Sequence, residues 1–84
     1  MNQRQFAKAY RESLRNFQYN VNAIREERGL TIGDLSKLTG YSQSYIVDLV
    51  SRKPGHREPS LEAIVRLATV LGTTPILLLD KRTR

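Results

Sequence analysis

The chain has 84 residues, with fourteen Lys and Arg against eight Asp and Glu, a net charge of +6 and a pI near 10.2. That length allows one domain with a modest core and too little mass to enclose much of a substrate pocket, while the charge calls for a polyanionic partner, nucleic acid first and an anionic membrane surface second. The lack of cysteine excludes disulfides and thiolate metal sites; no apolar run reaches the roughly 18 residues of a membrane span, and MNQRQFAKAY is too polar for a secretory signal, so a cytoplasmic place is expected.

In chain order the sequence predicts five helices, with room for a sixth, and no strand. Residues 1 to 16 carry Phe6, Tyr10 and Leu14 four apart, in register with Phe17, which fits an extra N-terminal helix or an extension of the next one. Asn16, Asn20 and Asn22 argue against one unbroken rod, since asparagine competes for the backbone and prefers caps. Arg4, Lys8, Arg11 and Arg15 make this extension a basic arm, a dimer contact, or a helix whose basic face is simply solvated. The domain proper spans 17 to 80. Phe17, Val21 and Ile24 form its first apolar stripe, and Gly29 stops that helix.

Thr31 and Asp34 are spaced as a capping box for a second helix, about 31–39, which Gly40 ends. Ser42 is placed to cap a third, about 42–50, before RKPGHREP breaks all periodicity. Ser60 caps a fourth, with Leu61, Ile64, Leu67, Ala68 and Leu71 as its core face, and Gly72 closes it. Thr74 and Pro75 fit the N-cap and first position of a last short helix, Ile76 to Leu79. A basic tail, 81–84, follows.

The second and third helices carry the functional signal. Leu35, Leu38, Ile46 and Leu49 fall at helical spacing on either side of the structural turn at Gly40, and Ser36 offers a small residue where two helices would cross closely. This is the pattern of a helix-turn-helix, whose second helix lies in the major groove of DNA. With Ile46, Leu49 and Val50 toward the core, Ser44, Val47, Asp48 and Ser51 face outward and Gln43 sits on the flank. Gln43 can pair with adenine, Ser44 can donate or accept, Val47 can meet a thymine methyl and Asp48 can accept from cytosine N4. Each is otherwise a solvated surface residue. Candidate phosphate contacts are Ser42 at the helix N-terminus, Arg52, Lys53, His56 and Arg57 in the loop, and Lys37 on helix two. Tyr41 and Tyr45 read as packing residues, Tyr41 with its hydroxyl in water.

IREERGLT at 24–31, LSKLTGYSQSYI at 35–46, EPSLEAIVRLATVLG at 58–72 and TPILLLD at 74–80 together resemble the Cro and phage-repressor type of helix-turn-helix regulators, SinR-like members included. The resemblance covers residues 17 to 80. It implies an all-α, five-helix, lambda-repressor-like fold, base contacts at 43, 44, 47 and 48, and a transcriptional repressor or antitoxin in a bacterial or phage setting. It also implies a palindromic operator and a homodimer, joined through the apolar last helix or the N-terminal extension. Three positions depart from the pattern. Ile32 stands where many relatives have a phosphate-binding glutamine, Arg52 replaces a loop glycine, and Val50 replaces a glutamate that pairs with the residue matching Arg25. Arg25 must then find Asp48, a carbonyl or solvent.

Catalysis finds no support. His56 has no orienting partner and no second histidine or cysteine at ligand spacing, Glu26 and Glu27 point to different sides of a helix, and no phosphate-binding glycine loop is present. No enzyme activity, cofactor or metal is expected. The rival reading is a protein-interaction module, an antitoxin or partner-binding subunit that binds DNA weakly or not at all. Ile32, the acidic Asp48 and the apolar segment Ile76 to Leu79 give it substance.

Overall fold

Five helices follow one another in the computed structural model, which describes residues 2–51 and 57–81: α1 (Gln3–Glu27), α2 (Ile32–Thr39), α3 (Gln43–Val50), α4 (Leu61–Leu71) and α5 (Pro75–Leu79). No strand occurs among the described residues, and no helix among them is long and apolar enough to cross a membrane. The caps legible in the sequence explain the boundaries. Thr31, Ser42, Ser60 and Thr74 each accept a hydrogen bond from the amide three residues on, satisfying a donor the helix cannot. Asp34 returns the bond to the Thr31 amide at 2.9 Å. Gly40 ends α2 at φ 83°, a left-handed backbone that costs a side-chain-bearing residue about 1–2 kcal/mol.

The N-terminal extension and the first helix of the domain are one continuous rod of 25 residues. The asparagines do not interrupt it, contrary to the sequence expectation: the amides of Asn16 and Asn20 are engaged by α5, and Asn22 Nδ2 donates one turn back to Gln18 O at 3.1 Å without breaking the helix. Asn20 Nδ2 donates to the carbonyls of Leu77, Leu78 and Asp80 at 3.1, 3.0 and 3.0 Å, and Asn16 Nδ2 donates to Leu79 O at 3.2 Å. Thus occupied, they close the C-terminal end of α5 instead of competing for their own backbone. The rod begins with a capping box of its own, in which Asn2 and Gln5 bond reciprocally at 2.8 and 3.1 Å.

The core gathers Phe17 and Val21 from α1, Leu35 from α2, Ile46 and Leu49 from α3, Ala63, Leu67, Ala68 and Leu71 from α4, and Leu78 from α5. Two expected core positions lie outside it. Leu38 is 55% exposed and Thr39 is buried in its place; Thr39 can be buried because its hydroxyl donates back to Leu35 O at 2.7 Å, which satisfies the polar group. Leu61 is 75% exposed. As the first residue of α4 it lies beyond the packed part of the helix, and Ala63 takes the inward place.

Candidate nucleic-acid interface

The turn between α2 and α3 is held from both sides. Ser36 Oγ donates to Tyr41 O at 2.6 Å, and Tyr41 N donates to Thr39 Oγ1 at 3.1 Å. Ser36 thereby pins the turn directly. From α4, Arg66 Nη1 donates to Thr39 O at 3.0 Å, its guanidinium lies 5.3 Å from the centre of the Tyr41 ring, and Nη2 reaches Glu62 at 2.7 Å. The far end of α3 is held by α1, where Gln18 Nε2 donates to Ser51 O at 3.0 Å and Asn22 Nδ2 approaches Val50 O at 3.5 Å. Carbonyls at a helix C-terminus have no partner in their own helix, so these amides complete α3.

So fixed, α3 buries Ile46 and Leu49 completely and presents Gln43, Ser44, Val47 and Asp48 to solvent, Val47 at 47%. Ser51, expected outward, is half-buried with its carbonyl taken by Gln18. Gln43 sits at the seam of the two helices: a Cβ on Gly33 would meet its Nε2 at 3.5 Å, an ordinary van der Waals contact. Ser42 is exposed, and its oxygen accepts from Tyr45 N at 3.1 Å, which leaves its O–H free to donate outward. Lys37 is exposed in the last turn of α2.

Arg57 is tied to the outward face. Its amide donates to Asp48 O at 3.2 Å and its guanidinium lies 5.6 Å from the centre of the Tyr45 ring, which in turn meets Tyr41 edge-on at 4.9 Å. Both tyrosines are half-buried packing residues, as expected. The other basic loop candidates, Arg52, Lys53 and His56, lie outside the described residues. Arg25 finds a carbonyl: Nη1 donates to Leu30 O at 3.0 Å and Nη2 to Asn22 Oδ1 at 3.2 Å, with Glu26 3.7 Å away. Its buried Nε has no hydrogen-bond partner among the described residues.

The role of Arg66 and the anchoring of Arg57 escaped the sequence reading. Arg66 follows Glu62 at i,i+4, a spacing that signals an ion pair, but its bond to the end of α2 depends on tertiary packing. The stacking of Arg57 on Tyr45 has no local signature at all. Electrostatically, the Thr31 amide and then the Thr31 hydroxyl hold the Asp34 carboxyl below the usual carboxylate value. Partial burial, then a hydrogen bond and the charge of Glu58, push the Tyr10 phenol up. No group of three His, Cys, Asp or Glu among the described residues could hold a metal ion.

A family model described as helix-turn-helix matches residues 21–78, most of the chain and all of the two-helix unit, and leaves the first five turns of α1 outside. No curated protein and no solved structure matches it. Helix-turn-helix domains of this type belong to DNA-binding regulators and are not a catalytic family. With five helices and a capped, outward-facing α3, the chain belongs to the helix-turn-helix family of the Cro and phage-repressor type.

Proposed function

We propose that this protein is a sequence-specific transcriptional repressor that binds a palindromic operator as a homodimer. The observation that carries the reading is the exposure of α3: Gln43, Ser44, Val47 and Asp48 stand free on a helix whose other face is sealed into the core. These four would meet base edges, Gln43 pairing with adenine and Val47 touching a thymine methyl. Ser42, Lys37 and Arg57, with Arg52, Lys53 and His56 of the loop, would neutralise phosphates and set the register without reading sequence. The dimer seam we assign to α5, where Ile76 is 76% and Leu77 54% exposed beside the buried Leu78; self-complementary apolar patches of this kind suit a two-fold interface.

Selection of bound sequences from random duplex DNA tests the proposal. A palindrome with half-site centres about 34 Å apart is expected; enrichment of no sequence overturns it. Gln43→Ala should relax discrimination at one base position, while Arg57→Ala should weaken binding to all sequences alike. The protein-interaction reading draws on a second apolar strip, Leu61 and Val65 on α4. Absent or salt-insensitive DNA binding would favour it, because phosphate contacts make affinity fall steeply with salt.

A further inference from the structure

Arg4, Lys8, Arg11 and Arg15 are spaced four, three and four residues apart on α1, so they fall within roughly 60° of one another around the helix and span about 16 Å of its axis. All four are exposed, and none is in an ion pair among the described residues. Glu12 is the one acid in this part of the helix. Carried on by the same spacing, three and four, the stripe arrives at Gln18 and Asn22, the two side chains that hold the last carbonyls of α3. The face of α1 that carries the cations is therefore the face it turns toward the end of the groove-reading helix. The rings of Phe6 and Tyr10 lie on the other side, stacked at 6.2 Å, with the Glu58 carboxylate near the Tyr10 hydroxyl.

We propose that this stripe is a second DNA-binding element, a rail that follows the phosphate backbone next to the segment read by α3. The proposal rests on the reading that α3 enters the groove. At about 3.4 Å of rise per base pair the rail covers roughly five base pairs, contributing affinity and register but no base reading. Because α1 has its own capping box and is continuous with the core helix, the four charges are held in line before DNA arrives, and little ordering entropy is lost on binding. An anionic membrane is disfavoured, since the apolar side that would enter it carries the Glu58 carboxylate beside Tyr10.

The test compares the wild-type chain with a variant carrying Arg4→Gln, Lys8→Gln, Arg11→Gln and Arg15→Gln, and with a second variant carrying Arg4→Lys, Arg11→Lys and Arg15→Lys. Each is titrated onto a 30-base-pair mixed-sequence duplex between 50 and 200 mM salt, and onto phosphatidylglycerol vesicles. The glutamine variant should keep its helix content by circular dichroism and lose about 2 to 4 from the slope of log affinity against log salt, about 0.9 for each lost contact; the lysine variant should keep the wild-type slope. A change below about 1 with wild-type DNA binding intact overturns the rail and leaves the α3 reading standing. Failure of the wild-type chain to bind any duplex overturns both. Charge-dependent binding to vesicles without a change of slope on DNA overturns the rail in favour of a membrane surface.

Discussion

Phe17 and Phe6 stand on one face of one helix, three turns apart; Phe17 is sealed from solvent and Phe6 is 56% exposed. Tyr10 and Val21 repeat the contrast, at 41% and 0%. The apolar spacing is the same in both halves of α1, so amphipathic periodicity alone does not decide burial. What differs is what the chain brings alongside. Phe17 and Val21, in the C-terminal half, pack into a core shared with α3, α4 and α5, whereas the N-terminal half keeps an outer face of exposed cations with no ion pair among the described residues. A helical stripe is a demand for a partner, and only part of this one is met within the domain.

The comparison can be broken most severely by truncation on the two sides of its boundary. Phe17→Ala should cost about 3–5 kcal/mol, the range for emptying a buried aromatic site, and Phe6→Ala no more than about 0.5 kcal/mol; urea unfolding of the two variants reads the difference directly. Next in size, Asn20→Ala should cost about 2 kcal/mol by leaving the carbonyls at the end of α5 unpartnered. Amide exchange should then show α5 opening well before the rest. Asn2→Ala removes a cap worth about 1 kcal/mol to its own helix start, and the loss should appear as faster exchange in the first turns of α1, with the global unfolding midpoint almost unmoved.

The smallest effect separates the two capping boxes. That of α1, Asn2 with Gln5, is uncharged, whereas that of α2 uses the Asp34 carboxylate, whose pKa is lowered in the folded chain. A lowered folded pKa means stability that is present above the ordinary carboxylate value of about 3.9 and is lost as pH falls through the folded value. Urea midpoints of wild type and Asp34→Asn should therefore differ near pH 6 and converge toward pH 2; a gap that stays constant with pH would show that the carboxylate charge is not what the box uses.

Much of the fold was legible because its signals are local. Thr31 with Asp34, Ser42, Ser60, Thr74 with Pro75, and Gly40 each mark a boundary through contacts within a few residues, and Ile46 with Leu49 fixes the face of α3. The misses are of another kind. Whether Leu38 or Thr39 turns inward, and whether Leu61 or Ala63 does, depends on where α4 lies against α2, which no short window contains. Asn16 and Asn20 read as unfavourable to an unbroken helix because the carbonyls that occupy them are 63 and 58 residues away. The outward positions of α3 followed from its period, while the anchoring of Arg57 on Tyr45 required the loop to return to the helix.

The bonds from Asn20 to α5 have a further meaning for the order in which the molecule assembles. The turn of the helix-turn-helix is stapled by Ser36 and Tyr41, five residues apart, whereas Asn20 and the carbonyls it holds are separated by 57 to 60. Closing the longer loop forfeits about 2 kcal/mol more chain entropy, a loss recovered only as α5 packs on α1 and α4. The clasp between the rod and the last helix is thus expected to form late, so that Asn20→Ala should speed unfolding more than it slows folding in stopped-flow measurements.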